Sequence, residues 1–309
     1  MAVKSEPNFS RLPLGRRRAL ILLGAAAIVP LFVRQGRTAS TGAEPQLLSD
    51  GQLDLTLGFV FPDTPSEALQ AEIGSSDRNM MLALPCTVPL LIDGERKILF
   101  DAGSGPHFMD NAGTLLESMQ AAGIGADQIT DIVFTHCHPD HLWGVTDDFD
   151  ELSFPNATYH LRHEEFEFWN NPDIASQIPE EIRTFAVGAA ARLPRIADQT
   201  QFFSDGAEIL PGIEAMATPG HTPGHTSFVV HMDGDPVMLT GDVVSHAATV
   251  AHPDWHWGTD QNPKQASETR MRVLDRLRAD KMRALTYHMD PPGIGRVVNS
   301  DGMTRWVSE

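Results

Sequence analysis

Cysteine occurs twice in 309 residues, as Cys86 and Cys137, so no disulfide framework is available and stability has to come from a packed core. The Gly-x-Ser-x-Gly turn of a serine esterase is missing, which removes that route to ester chemistry. No apolar run reaches the roughly 20 residues that span a bilayer. The longest is the fifteen-residue ALILLGAAAIVPLFV, and neither a fixed-period repeat nor a low-complexity tract is visible. Basic residues are scarce beyond position 43, where 16 stand against 40 acidic ones for a net charge of -24. Such a field repels phosphate backbones and anionic lipid. It argues against nucleic acid as a partner and for neutral or cationic small molecules as substrates.

What is present begins with an unusual first segment. Arg16, Arg17 and Arg18 precede the apolar run, and the small, polar RQGRTASTGAE follows it. This is the layout of an export signal of the twin-arginine type, ending near Ala39 or Ala43. The expectation is therefore a leader over residues 1–43, a single catalytic domain over 44–309, a periplasmic location, and membrane contact through the leader alone. With 41% hydrophobic residues, the remainder can bury a full core.

Apolar extended segments then alternate with helical ones, the pattern of an α/β chain. LDLTLGFV, MMLALPCTVPLLI and KILFDAG read as strands, the last two joined by a hairpin at Asp93-Gly94. GTLLESMQAAGI reads as a helix, and residues 163–195 as a helical, acidic and aromatic middle. A helix over 263–281 carries Ala266, Thr269, Val273 and Leu277 roughly on one face.

Four strands end in groups that bind metal. DIVFTH delivers His136, IEAMATPGH delivers His221, VMLTGD delivers Asp242 and RALTYH delivers His288. In THCHPDH, side chains at i and i+2 of an extended segment share a side, so His136 and His138 can face one cation while Cys137 turns into the core. Pro139 then turns the chain, and Asp140 and His141 are aimed at a second, adjacent position. His136, His138 and His221 would hold one ion, Asp140, His141 and His288 the other, with Asp242 between them. Imidazole and carboxylate donors suit a borderline divalent metal, zinc before manganese, iron or cobalt. A water shared by two such cations is acidified to a pKa of about 7, and Asp140 is the candidate catalytic group that orients it.

The signature THCHPDH resembles the H-x-H-x-D-H element of the metallo-β-lactamase superfamily, with His221, Asp242 and His288 in the order of its remaining ligands and LFDAGSG similar to its D-x-G strand. The resemblance covers roughly residues 53–300 and implies a four-layer αβ/βα sandwich and a two-metal hydrolase. TPGHTPGHTSF, TGDVVSHAATVAHPDW and YHMDPPGIGRV are similar to the exported branch with methyl parathion hydrolase, arylesterases and lactonases, which implies hydrolysis of aryl esters, phosphotriesters or lactones. N-acyl homoserine lactonases share the Gly-His-Thr-Pro-Gly-His element. They are expected to carry a tyrosine three residues past the bridging aspartate, where this chain has Ser245. A mononuclear iron persulfide dioxygenase and a non-enzymatic metal-binding module are the more distant alternatives.

Several residues are expected to support rather than react. Asp101 is read as orienting a ligand imidazole, and His225 as holding its loop. His246, His252 and His256 divide between cleft and structure, as do Trp143, Trp255 and Trp257 as an apolar wall. Phe166, Phe168 and Trp169 read as the core face of a helix.

Overall fold

The computed structural model describes residues 44–309; the expected leader over 1–43 lies outside them. Two sheets form among the described residues. The first runs in chain order through β1 (Gln46–Thr56), β2 (Met81–Asp93), β3 (Arg96–Phe100), β4 (Asp131–Val133), β5 (Thr158–Arg162) and β6 (Thr200–Phe203). The second holds β7 (Glu208–Leu210), β8 (Ile213–Ala217), β9 (Thr226–Val230), β10 (Val237–Leu239), β11 (Arg283–Leu285), β12 (Ile294–Ser300) and β13 (Met303–Ser308), with the crossover from β10 to β11 pairing in parallel. The helices are α1 (Leu57–Val60), α2 (Ser66–Glu72), α3 (Leu115–Ala121), α4 (Pro139–Leu142), α5 (His163–Trp169), α6 (Arg183–Ile196), α7 (Ala247–Ala251) and α8 (Pro263–Ala279).

The layering follows from alternation along the strands. In β3, Ile98 and Phe100 enter one apolar cluster and Leu99 another; in β10, Val237 and Leu239 enter one and Met238 another. Ile98, Phe100 and Val133 of the first sheet meet Ile213, Phe228 and Leu239 of the second, so this cluster lies between the sheets. The opposite face of the first sheet packs beneath α3 and α6, and that of the second beneath α8. Strands covered on both faces read as continuous apolar runs, and each side of the sandwich ends in a helical layer. The chain has the expected mixed α/β fold of two sheets flanked by helices.

Local signals explain the elements and their limits. The β2–β3 hairpin turns at Gly94, whose φ of +62° suits a residue without a side chain. Asn262 caps α8 by accepting a hydrogen bond from the Gln265 amide at 3.1 Å, Pro263 occupies the first turn, and Ala266, Thr269, Val273 and Leu277 are buried as the periodicity predicts. The strand expected over LDLTLGFV is displaced: it begins at Gln46 and stops at Thr56, whose hydroxyl accepts from the Phe59 amide and starts the helical turn α1. The runs expected to carry His136, His221, Asp242 and His288 as strand ends leave their ladders three or four residues early, so that these side chains sit in loops beyond β4, β8, β10 and β11. A ladder fixes side chains perpendicular to the sheet; leaving it lets them turn toward a common centre.

Cys86 and Cys137 are both free and buried. No helix among the described residues is long and apolar enough to cross a membrane.

Close packing makes one glycine of α6 a sensitive point. A Cβ at Gly188 would lie 2.0 Å from the Trp143 ring, which also carries the Arg192 guanidinium 4.6 Å from its centroid. Gly188→Ala should therefore destabilise the chain by about 1–3 kcal/mol, the usual cost of overpacking, despite alanine's better helix propensity. Thermal unfolding checks this, and an unchanged or raised midpoint would show that the indole has room to move.

Candidate metal centre and cleft

All seven residues expected at the site come together. Donor atoms of His136, His138 and His221 lie within 4.8 Å of one another, as do those of His136, His141 and Asp242. His288 Nε2 stands 3.2 Å from Asp140 Oδ2 and 3.3 Å from Asp242 Oδ2. Asp242 also reaches His221 Nε2 at 3.4 Å through Oδ2 and His141 Nε2 at 3.4 Å through Oδ1, which puts it between the two expected groups. Cys137 turns away into the core, as the alternation along THCHPDH requires.

The outer atoms of the imidazoles fix which nitrogen faces inward. His141 Nδ1–H donates to Asp101 Oδ2 at 2.8 Å, and His288 Nδ1–H donates to the Pro85 carbonyl at 2.9 Å. His221 Nδ1–H donates to Asp260 Oδ1 at 2.9 Å, and His136 Nδ1–H to the Thr135 hydroxyl at 3.0 Å. These assignments leave lone pairs on the Nε2 atoms of four rings, all directed at one small volume. His136 Nε2, His141 Nε2, Asp140 Oδ2 and Asp242 Oδ1 are buried there without a hydrogen-bond partner. His138 Nδ1 lies 2.9 Å from His221 Nε2. Acceptors facing acceptors in a dry interior are costly, and cations are the group that satisfies them all at once. The donor set therefore fits two divalent ions.

Electrostatics agree with that reading. Burial, reinforced by the neighbouring His141, His138 and His221, holds the His136 ring well below the ordinary imidazole value. Burial opposes charge on His141 and His288 too, yet carboxylates at contact distance raise both well above it. Asp242 is held well below the usual carboxylate range, because His288 and His141 outweigh its burial. Without a cation, a proton on the inward Nε2 of His141 and of His288 takes the positive place beside Asp140 and Asp242, and a divalent ion would fill that place by displacing it.

Supporting residues behave as expected in two cases. Asp101 sits at φ +69°, an uncommon backbone conformation for a residue with a side chain, and is held by the Thr135 amide and hydroxyl as well as by His141. His225 Nδ1–H donates to Thr218 Oγ1 at 2.8 Å and its Nε2 accepts from the Asp242 amide at 3.0 Å, so both nitrogens are occupied in holding loops. His246 caps α7, while His252 and His256 pair with Glu72 and Asp63.

Two further residues carried no signal in the sequence. Glu165, in a segment read as an amphipathic helix, is wholly buried. Its Oε1 accepts from the Cys137 amide at 2.9 Å and the Trp169 indole at 2.7 Å, and its Oε2 from the Thr222 hydroxyl at 2.7 Å and the Gly224 amide at 2.9 Å. One carboxylate thereby ties the His136–His141 loop to the His221–His225 loop. Burial raises it above the ordinary glutamate value even against these four bonds. Asp260 is the other, and its second oxygen accepts from the buried Arg270 at 2.9 Å. A carboxylate inside a short helix, or after a Gly-Thr pair, looks solvated until the partners are known.

Above the seven residues opens a cavity of about 280 Å³ whose walls include Leu53, Leu55, Phe59, Phe108, Phe185 and Trp257 and whose floor includes His138, Asp140, Asp242 and His288. Among the described residues, no lysine or arginine lines it. Of the three tryptophans expected as a wall, Trp257 takes that place; Trp143 packs against Phe108 and Trp255 stacks on His252. Ser245 is buried and donates to the Asp242 carbonyl at 2.9 Å rather than lining the cavity.

The fold and the cage of lone pairs are those of a metal-binding α/β sandwich. The chain belongs to the metallo-beta-lactamase superfamily, whose family model matches residues 82–288. Among solved structures it is similar to AidC, a dizinc quorum-quenching lactonase, at 26% identity and a TM-score of 0.78 over 87% of this chain and 98% of that one. The hydrolase AbOPH gives 25% identity and a TM-score of 0.77 over 88% and 98%. An N-acyl homoserine lactonase of a Bacillus species is 26% identical over 182 residues, 52% of this chain and 65% of that protein. The chain spans about half the length of the curated relatives it matches.

Glu165 gives the sharpest test of how the cage is held. Glu165→Gln puts an amide NH2 against two donors, leaving them unpaired in the interior, and should cost about 2–4 kcal/mol. Denaturant unfolding measures this, and a loss below 1 kcal/mol on the order of ordinary surface changes would mean the loops are held otherwise.

Proposed function

We propose that this chain is a binuclear metal-dependent hydrolase of uncharged, ester-like substrates bearing an apolar group: an aryl ester, a phosphotriester or a lactone. One observation carries the reading. Buried, unpaired lone pairs of histidines and aspartates form the floor of a largely apolar cavity that, among the described residues, no lysine or arginine lines.

Two divalent ions bound there supply a water acidified toward neutral pH and Lewis acidity toward a carbonyl or phosphoryl oxygen. The nitrogen and oxygen donors favour zinc. His136, His138 and His221 would hold one ion, His141, His288 and Asp140 the other, and Asp242 would touch both. Asp140 lines the cavity, where it can orient the attacking water and accept its proton. Leu53, Phe108, Phe185 and Trp257 exclude bulk water and take up the apolar part of the substrate. The missing arginine and lysine disfavour carboxylate or phosphate monoester substrates, which would meet Asp140 and Asp242 unscreened.

The leaving group narrows the choice further. Tyr159 OH donates to the Phe154 carbonyl and Tyr287 OH to the Asp140 carbonyl, so neither phenol reaches the cavity. An alkoxide from a lactone needs a proton or a cation to leave, whereas an aryloxide departs more readily. Aryl esters and aryl phosphotriesters are therefore the preferred substrates. N-acyl homoserine lactones are the second reading, which the similarity to AidC supports.

His138→Ala and Asp242→Ala should lower metal content and hydrolysis together. Since changes behind a ligand already cost about 10–100-fold, the loss should exceed a hundredfold, on the order of the upper limit. Elemental analysis and a panel of aryl esters, phosphotriesters and lactones measure both. Full turnover by a metal-depleted variant would overturn the proposal.

A further inference from the structure

The second cage has a neighbour that the histidine and aspartate pattern leaves out. Cys86 Sγ, a carboxylate oxygen of Asp140 and a ring nitrogen of His288 all lie within 4.8 Å of one another, and all three residues are buried. This spacing is not a loose proximity. Strand β2 is stitched to the His288 segment on both sides of the cysteine: His288 Nδ1–H donates to the Pro85 carbonyl at 2.9 Å, and the Thr87 amide donates to the Tyr287 carbonyl at 2.9 Å. Cys86 is thereby held alongside His288, whose Nε2 is left facing the cage. Asp140 Oδ2, in the same cluster, is buried without a hydrogen-bond partner. The sulfur itself approaches the Leu84 carbonyl at 4.0 Å, the outer limit for such a contact, so it is not engaged in a strong backbone bond. Cys137 does not take the same part: among the described residues it joins none of the groups of converging donor atoms.

We propose that Cys86 supplies a sulfur donor to the ion held by Asp140 and His288, an inference that rests on the two-metal reading given above. Forming the sulfur–metal bond displaces the thiol proton, which passes to water, so loading this position releases one more proton than a cage of imidazoles and carboxylates would. The two positions then differ in kind. The ion among His136, His138 and His221 would meet nitrogen and, through Asp242, oxygen, while the second would meet nitrogen, oxygen and sulfur. A soft donor on one side biases that position toward zinc, cobalt or cadmium and away from magnesium or manganese.

Cobalt loading of residues 44–309 and of the full chain tests the assignment by spectrum rather than by turnover. The protein with two cobalt ions should show a sulfur-to-cobalt charge-transfer band in the near ultraviolet that persists in Cys137→Ala and is lost in Cys86→Ser. Two bound cobalt ions with no such band, or a band that survives Cys86→Ser, overturns the sulfur ligand and leaves the two-metal reading intact. Fewer than two cobalt ions in the unaltered protein overturns both. A measurement that needs no variant stands beside it: X-ray absorption of the zinc-loaded protein should contain a sulfur scatterer at about 2.3 Å, and a shell of nitrogen and oxygen alone would count against Cys86.

Discussion

Acceptors without donors, gathered in a place that water barely reaches, are the condition around which this molecule is organised. Five imidazoles and two carboxylates come from loops far apart in the chain, and several of their inward atoms have no hydrogen-bond partner. Such an arrangement is expensive for a protein on its own. It persists because four of the five rings are held from behind. Asp101, Asp260, the Thr135 hydroxyl and the Pro85 carbonyl take the outer N–H groups, which decides both the direction and the tautomer of every ring they touch.

The supports are themselves linked, so that the site behaves as one piece. Glu165 joins the two histidine loops through four hydrogen bonds. Arg270 reaches from α8 to Asp260, behind His221, and also to the carbonyls of Val243, Pro253 and Trp255. That one guanidinium connects the loop of Asp242, the segment leading to the Trp257 wall and the orientation of a cage imidazole. Planar, always charged and rich in donors, arginine suits a buried junction of this sort better than lysine.

The readable and unreadable parts of the sequence divide along a physical line. Chemistry that depends on residue type at short spacing was visible: THCHPDH showed its own geometry, and the α8 stripe of Ala266, Thr269, Val273 and Leu277 followed from its period. Roles that depend on a distant partner were hidden. Glu165 sits among other acidic residues and has the same local pattern as a solvated glutamate, and only the approach of Thr222 and Gly224 makes it a clamp. The same limit applied to the tryptophans, since composition cannot tell Trp257 on a cavity wall from Trp143 under α6. Residues 154–195 contribute only Thr184 and Phe185 to the cavity, while much of the wall comes from β1 and α1. The turn at Thr56 that ends β1 early is what swings Phe59 and Val60 over the floor.

Floor and wall come from different stretches of the chain. Leu53, Leu55, Phe59, Phe108 and Phe185 belong to segments that donate nothing to the ring of lone pairs. Substitutions there can reshape the cavity while every donor of the cage stays in place.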